Sequence, residues 1–445
     1  CGKLGSLLKG EELHAEIVIK ALEVQPLVGN SLINMYIKLG CLCHAQQVFD
    51  TLPLRTLVSW TTIISGYTEC GEGKKALYLF DKMEYLGFAP DEVTYICSLK
   101  ACGSIQDIEK GQNVHLDMMK KGFLLRNSCI VASTLVDMYV KCGFLAEAEN
   151  VFNKLVHKDI VLWTVLISGY VEQGYGEKAL HCFRQMQREG SILIDIATLV
   201  CILKACGGIG AFYHGHEIHS KVIIQGWESD LCVGSSLVDM YANCGLFEES
   251  QLVFDKVLNP NVMAWSSLIA LYTQLGESEI VCITFDRMVE GGIKPDLVTL
   301  LSVLNACNHG GLVEKGIMYF EAINEDYGYV PALEHYACII DLLSRAGHFE
   351  RAMAVIHKMP SSNYLPVWAS VLGACRKWGN VELGRLAFKQ AIQLDRNNVA
   401  AHICMINIFT AAGMQEEAQS INAMRIRNSG CKHSGVHDVG SNVHL

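Results

Sequence analysis

The chain of 445 residues is long, apolar and acidic. Apolar residues make up 51% of it and charged residues 18%, which excludes an intrinsically disordered or low-complexity chain. There are 46 acidic and 36 basic residues, giving a net charge of −10, so any nucleic acid would be bound more by stacking and hydrogen bonds than by bulk charge. No nearly unbroken apolar stretch reaches about 18 residues, so we predict no membrane span.

The N-terminal residues and the cysteines bear on cellular location. The first twenty residues contain Glu11, Glu12 and Glu16, which is typical of neither a signal peptide nor a transit peptide, so we expect any targeting segment to lie upstream. The 19 cysteines include no C-x-x-C pair. They favour small packed side chains in a reducing compartment over a disulfide or zinc framework.

Four tryptophans mark an internal repeat. Trp60, Trp163, Trp265 and Trp368 are separated by 103, 102 and 103 residues, in the contexts VSWTTIISGY, VLWTVLISGY, MAWSSLIALY and PVWASVLGAC. Two further series of similar segments, which include TLVDMYVKCG and ILKACGG, divide this period into units of about 35, 36 and 31 residues. The chain is therefore predicted to be a tandem array.

Each unit has the pattern of a helical hairpin. An apolar run with helical spacing, a turn with glycine (70–73 in one unit) and a second amphipathic run follow one another. All eight prolines fall at unit ends, at positions 26, 53, 90, 260, 295, 331, 360 and 366. One such hairpin cannot bury its own apolar face, so neighbours must stack. We predict an all-α, right-handed superhelical solenoid with a groove lined by the first helices.

The segment LVSWTTIISGY…KKALYLFDKMEYLGFAPD at 57–91 resembles a pentatricopeptide repeat. The alternation of unit lengths is similar to the P, L and S repeats of the plant PLS subclass. This resemblance implies a partial L-type repeat at 1–26 and tandem S, P and L repeats at 27–366. It implies extension motifs at 367–433, with VWASVLGAC and INIFTAAG, and a short tail at 434–445 with no deaminase domain.

Candidate catalytic residues are few. His14-Ala15-Glu16 and His348-Phe349-Glu350 match the first half of a zinc deaminase signature, but the P-C-x-x-C half is absent. His14 also recurs as His115 and His219 at the same place in other units, which favours a structural role. The cluster at 214–219 lacks H-E-x-x-H spacing. We predict no catalytic residue, no metal, no cofactor and no enzyme activity.

Two sets of small polar residues are the candidate site. The first lies in the first helices of S and P units, where L units carry the aliphatic Ile96, Val200 and Leu301; its members are Asn30, Thr61, Ser133, Thr164, Ser235 and Ser266. The second consists of the last residue of each unit: Thr56, Asp91, Asp159, Asp195, Asn261 and Asp296. Helix capping would explain the first set and helix-connecting turns the second. The family resemblance implies instead that each pair reads one base edge, while aliphatics such as Val58 and Val161 stack on bases.

The resemblance therefore implies a sequence-specific, single-stranded RNA-binding protein. It implies a site-recognition factor for C-to-U editing in mitochondria, or alternatively chloroplasts, with a DYW-type deaminase or other editing factor engaged in trans through 367–433. An RNA stability, splicing or translation factor would use the same groove. A tetratricopeptide-like protein-binding scaffold is the alternative from another class, although W-x2-L-G-x2-Y is absent.

Overall fold

The computed structural model describes residues 7–20, 22, 24–123, 129–155, 157–189, 194–361 and 363–430. These residues form helices and no strand, and a short 3-10 helix spans Trp227–Ser229. The predicted tail at 434–445 lies outside the described residues, as do residues 1–6 of the partial first repeat and the end of the second extension motif. The α-helices are α1 (Leu7–Ile19), α2 (Pro26–Lys38), α3 (Leu42–Thr51), α4 (Leu57–Glu69), α5 (Gly73–Tyr85), α6 (Glu92–Ile105), α7 (Ile108–Lys120), α8 (Cys129–Lys141), α9 (Leu145–Lys154), α10 (Ile160–Glu172), α11 (Gly176–Arg188), α12 (Ile196–Ile209), α13 (Phe212–Ile224), α14 (Leu231–Asn243), α15 (Phe247–Lys256), α16 (Val262–Gln274), α17 (Ser278–Glu290), α18 (Leu297–Gly310), α19 (Val313–Glu325), α20 (Leu333–Arg345), α21 (Phe349–Lys358), α22 (Leu365–Trp378), α23 (Val381–Leu394), α24 (Val399–Ala411) and α25 (Gln415–Gly430).

The chain forms two compact units, residues 1–222 and 223–445. In each unit the helices pair along the chain, so that α4 packs against α5, α10 against α11 and α16 against α17. The first helices of successive hairpins also contact one another, as α2, α4, α6, α8, α10 and α12 in one unit and as α14, α16, α18, α20, α22 and α24 in the other. In each unit this row of first helices, which we call the first-helix row, carries part of the candidate site.

The short length of the 31-residue unit comes from its second helix. The second helices α3, α9, α15 and α21 have ten residues, whereas α5, α11 and α17 have thirteen. The turn before the second helix has a glycine in the left-handed region in most of these hairpins, as at Gly71 with a φ of +79°, where other residues are strained. The 31-residue unit is therefore a hairpin with a shortened second helix.

The tryptophan period marks a recurring interface. Each of the first three tryptophans is buried and packs edge to face against a phenylalanine of the preceding hairpin. The centroid distances are 4.8 Å for Phe49 and Trp60, 4.6 Å for Phe152 and Trp163, and 4.7 Å for Phe254 and Trp265. Tyr67 adds a hydrogen bond of 3.0 Å across the first of these interfaces, donating to the Gln46 side chain.

Two prolines lie within helices rather than between them. Pro26 is the first residue of α2, and Pro366 is the second residue of α22. The backbone N–H groups of a first helical turn have no partner inside the helix, so a proline removes no hydrogen bond there. Among the helices of the described residues, none is both long and apolar enough to cross a membrane.

Candidate nucleic-acid interface

The six polar residues of the first helices occupy the same helical position. Asn30, Thr61, Ser133, Thr164, Ser235 and Ser266 are each the fifth residue of their helix. A capping side chain precedes the first helical residue, so none of the six caps its own helix. The hydroxyls of Thr61, Thr164 and Ser266 lie 3.0, 2.8 and 2.7 Å from the carbonyl oxygen four residues earlier. Capping therefore does not explain this set.

The unit-final residues do act as N-caps. Thr56, Asp91, Asp159, Asp195, Asn261 and Asp296 each accept a hydrogen bond from the backbone N–H of the third residue of the following helix. A side-chain oxygen there satisfies one of the unpaired N–H groups of the first turn, which contributes about 1 kcal/mol. These residues thus have a structural role, and a carboxylate retains a second oxygen for other contacts.

A buried threonine joins the two sets in three hairpins. The hydroxyls of Thr94, Thr198 and Thr299 donate to the carboxylates of Asp91, Asp195 and Asp296, over 2.6, 2.6 and 2.7 Å. The same hydroxyls lie 2.9, 2.6 and 2.5 Å from those of Thr61, Thr164 and Ser266. All three threonines are 0% exposed. Sequence reasoning missed them, although the recurring D-x-x-T at 91–94, 195–198 and 296–299 marks their positions.

Among the described residues, the hairpins predicted to be S-type lack this threonine and differ among themselves. The Ser235 hydroxyl donates directly to the Asn261 side-chain oxygen at 2.9 Å. The Ser133 hydroxyl instead bonds to the carbonyl of its own helix residue Ile130 at 3.1 Å. The Asn30 side-chain oxygen is buried without a hydrogen-bond partner among the described residues. Ser133 and Ser235 are 9% and 0% exposed, so the predicted polar groups are more shielded here than in the P-type hairpins.

A cavity of about 370 Å³ lies on the first-helix row, lined by residues of α2, α4 and the start of α6. Its lining includes the predicted pair Thr61 and Asp91 together with Val58 and Val93. The two valines are 60% and 52% exposed. Aliphatic side chains of this kind can contact the face of a flat ring, while the polar pair meets its edge. Val161, predicted as another stacking residue, is also exposed.

The L-type hairpins carry no donor or acceptor at the fifth position of their first helices. Ile96, Val200 and Leu301 are the fifth residues of α6, α12 and α18, and all three are half-buried. A side chain of this type offers apolar contact alone. Along the row, two first helices with a polar fifth residue are therefore followed by one with an aliphatic fifth residue.

The recurring histidines bridge neighbouring hairpins. His14 Nδ1 lies 2.9 Å from the Tyr36 hydroxyl, and His115 Nδ1 lies 2.8 Å from the Tyr139 hydroxyl. Burial, and secondarily the charge of Lys154, lowers the pKa of His115. This pairing with a tyrosine of the next hairpin gives both histidines a packing role.

The other histidine clusters have ordinary surface contacts. Arg184 donates a hydrogen bond to His214, and Glu217 pairs with Lys221 at 2.9 Å. His348 is the residue that precedes α21. Within the part of the chain that the structure describes, no three His, Cys, Asp or Glu side chains are grouped as metal ligands.

Comparison with protein families places repeats along much of the chain. Residues 55–104 and 158–208 match the PPR repeat family, and residues 252–309 match the pentatricopeptide repeat domain. Residues 130–160 and 334–364 each match the PPR repeat. The Trp60, Trp163 and Trp265 hairpins all fall within these matches.

Curated relatives from Arabidopsis thaliana align with nearly the whole chain. A mitochondrial pentatricopeptide repeat-containing protein is 36% identical over 432 residues, which are 97% of this chain and 76% of that protein. The chloroplastic pentatricopeptide repeat-containing protein CRR2 is 34% identical, with 95% of this chain and 65% of the relative covered. A third such protein is 33% identical over 95% of this chain, which spans 51% of its length. The chain thus spans about half to three quarters of these relatives.

Solved structures share the fold. The crystal structure of the maize pentatricopeptide repeat protein PPR10 aligns with a TM-score of 0.69 at 17% identity, covering 97% of this chain and 68% of PPR10. PPR10 in complex with an 18-nt psaJ RNA element aligns with a TM-score of 0.72 at 16% identity, covering 93% and 62%. This likeness confirms the predicted all-α solenoid of helical hairpins.

Proposed function

The chain belongs to the pentatricopeptide repeat family, and from this premise we propose that it is a sequence-specific, single-stranded RNA-binding protein of a plant organelle. The observation that carries the proposal is the cavity on the first-helix row, whose lining includes Thr61 and Asp91 together with two exposed valines. The same polar pair recurs in two later hairpins, so the row offers a series of similar sites. The relatives named mitochondrial and chloroplastic support an organellar location.

Phosphate contacts would come from the basic residues of the first-helix row. Exposed basic side chains on these helices include Lys38, Lys100, Lys204, Arg345 and Arg376. The whole chain nevertheless carries a net charge of −10. Counter-ion release is therefore expected to contribute less than stacking and edge recognition, and affinity should fall only modestly with added salt.

The more specific part of the proposal concerns RNA editing. Helices α22 to α25 cover most of 367–433, the region that resembles extension motifs. We assign to this region the binding of a DYW-type deaminase or another editing factor, while the repeats select the transcript site. Comparing organellar C-to-U changes between plants with and without the gene tests this step. A set of transcripts altered only in abundance or splicing would favour the other RNA-processing roles instead.

Selection from random RNA tests the base-reading assignment. By the family's pairing rules, Thr or Ser with Asp favours G, Ser with Asn favours A, and Asn favours a pyrimidine. Applied from Asn30 to the hairpin at 333–366, these rules give Y-G-n-G-G-n-A-G-n-n, read 5′ to 3′, where n marks a unit without a prediction. We expect the purified chain to enrich this purine-leaning pattern, whose first letter is the least typical because Thr56 partners Asn30. A pyrimidine-rich consensus would contradict the assignment. Binding of a peptide library in preference to RNA would favour the scaffold alternative.

A further inference from the structure

We propose that Thr94, Thr198 and Thr299 are positioning residues that make their hairpins select guanine. The inference rests on the proposed RNA-binding function and concerns groups that do not themselves reach a base, since all three threonines are 0% exposed. Each lies in the helix after the hairpin whose polar pair it joins. Selection of guanine depends on where the hydroxyl protons lie.

The Thr94 hydroxyl donates its proton in a hydrogen bond to Asp91. An ionised carboxylate can only accept hydrogen bonds, and a hydroxyl bonded to it over 2.6 Å makes a strong, charge-assisted contact. A hydroxyl has a single proton, so Thr94 has none left for Thr61. In the 2.9 Å contact between these two hydroxyls, only Thr61 therefore has a proton to donate.

The proton of Thr61 then has two partners, and both are inside the protein. They are the Thr94 oxygen at 2.9 Å and the Leu57 carbonyl oxygen at 3.0 Å. In either position the proton is not available to a base, so the Thr61 oxygen can act towards a base only as an acceptor. The proton of Thr164 likewise lies between the Thr198 oxygen and the Ile160 carbonyl. That of Ser266 lies between the Thr299 oxygen and the Val262 carbonyl.

The site consequently offers acceptors and no donor at this pair. Asp91 uses one carboxylate oxygen for Thr94, and its second oxygen has no hydrogen-bond partner among the described residues. Guanine presents adjacent N1–H and N2–H donors on its Watson–Crick edge, whereas adenine presents an acceptor at N1. Two acceptors held in place can accept hydrogen bonds from the two guanine donors, whereas the N1 acceptor of adenine finds no donor there.

The hairpins without the threonine provide an internal comparison. The residues at the equivalent position are Ser59, Leu162 and Ala264. Among the described residues, Ser133 therefore has no relay to Asp159, and its hydroxyl bonds only to a carbonyl of its own helix. We expect discrimination of guanine over adenine to be stronger at the hairpin of Thr164 and Asp195 than at that of Ser133 and Asp159.

The test compares Thr94→Val, which removes the hydroxyl and keeps the shape, with Thr94→Ser, which keeps the hydroxyl. Binding is measured to the RNA U-G-U-G-G-U-A-G-U-U and to versions with adenine at nucleotide 2 or 5. We expect Thr94→Val to lose about tenfold of the guanine preference at nucleotide 2 only, and Thr94→Ser to retain it. Thr198→Val should move the same loss to nucleotide 5, three nucleotides further along.

The outcomes separate this inference from the proposed function. If the unchanged chain shows no guanine preference at nucleotides 2 and 5, the base-reading function itself is wrong. If it shows the preference and both valine variants keep it, the positioning role is overturned. An equal loss at every nucleotide would also overturn it, because it would indicate a structural effect. Should Thr94→Val fail to fold by circular dichroism, Thr198→Val with Thr198→Ser gives the same decision.

Discussion

The Ile37 side chain occupies the space beside Gly66, where a Cβ atom would come within 2.4 Å of the Ile37 Cδ1 atom. Val140 takes the corresponding place beside Gly169, with a separation of 2.6 Å for a Cβ there. At the equivalent positions of the third repeat, Ala242 and Leu271 are both buried. In this third pair the earlier helix carries the small residue and the later helix the large one, the reverse of the first two pairs. Complementary size therefore maintains the contact between neighbouring first helices.

This relationship predicts a compensating pair. Gly66→Leu alone should lower the free energy of unfolding by about 1–3 kcal/mol, because the new side chain meets Ile37 in a closely packed interface. Adding Ile37→Ala reproduces the Ala242 and Leu271 arrangement and should recover most of the loss. Urea unfolding of the two variants and the unchanged chain measures this. A double variant no more stable than Gly66→Leu would show that size matching does not govern the contact.

A second stability prediction concerns Gln106. It ends α6 in the left-handed region with a φ of +56°, where Gly210 and Gly311 end the equivalent helices α12 and α18. A side chain in this region costs about 1 kcal/mol relative to glycine. Gln106→Gly should therefore raise the free energy of unfolding by about that amount in thermal or urea unfolding. Gly210→Gln is the matched control and should lower it.

The His115 contact predicts a pH dependence. Burial lowers the pKa of His115 in the folded chain, so the unfolded state binds its proton more readily. The fold therefore keeps its full stability above the ordinary histidine pKa of about 6.5. It loses stability as the pH falls from there towards the lower pKa that His115 has in the folded chain. Unfolding of His115→Gln should show a weaker decline of stability over this range than the unchanged chain. Identical pH profiles would contradict the assignment.

The cysteines should differ sharply in reactivity. Burial raises the pKa of Cys102 and of Cys375 to about 12, and both thiols are buried, whereas Cys43, Cys70 and Cys232 are exposed. The thiolate is the reactive form, so an alkylating agent at neutral pH should modify Cys43, Cys70 and Cys232 before Cys102 and Cys375. Mass spectrometry of peptides after timed labelling measures the order. Labelling in urea is the control, because unfolding should remove the difference.

The fold and the places of the polar residues were accessible from the sequence because the repeat is long and regular. The spacing of Trp60, Trp163 and Trp265 fixed the register of the hairpins, and that register put Thr61 and Thr164 at one helical position. Buried aromatic contacts recur with the same period, so local pattern and packing agree.

The threonine relay was not accessible in this way. Thr94 belongs to the hairpin after that of Thr61, and aligning whole hairpins with one another shows no contact between them. The contact depends on how closely α4 and α6 pack, which a repeat pattern does not specify. The capping role of Asp91 is local instead, since it depends on α6 beginning at Glu92. Tertiary geometry between the hairpins supplied the contact between Thr61 and Thr94, and a helix boundary supplied the cap.

The base-reading hypothesis predicts a change of specificity for Thr164→Asn with Asp195 retained. The amide replaces a hydroxyl whose proton is held inside the protein and adds an N–H donor, so preference at nucleotide 5 should shift from guanine towards uracil. A mismatched base should cost about 1–3 kcal/mol of binding. Folding should hardly change, because Asn30 occupies the same position in α2. Val200→Ala is the control and should weaken binding to both RNAs alike. Equal losses on the guanine and uracil RNAs for Thr164→Asn would mean that Thr164 does not read the base.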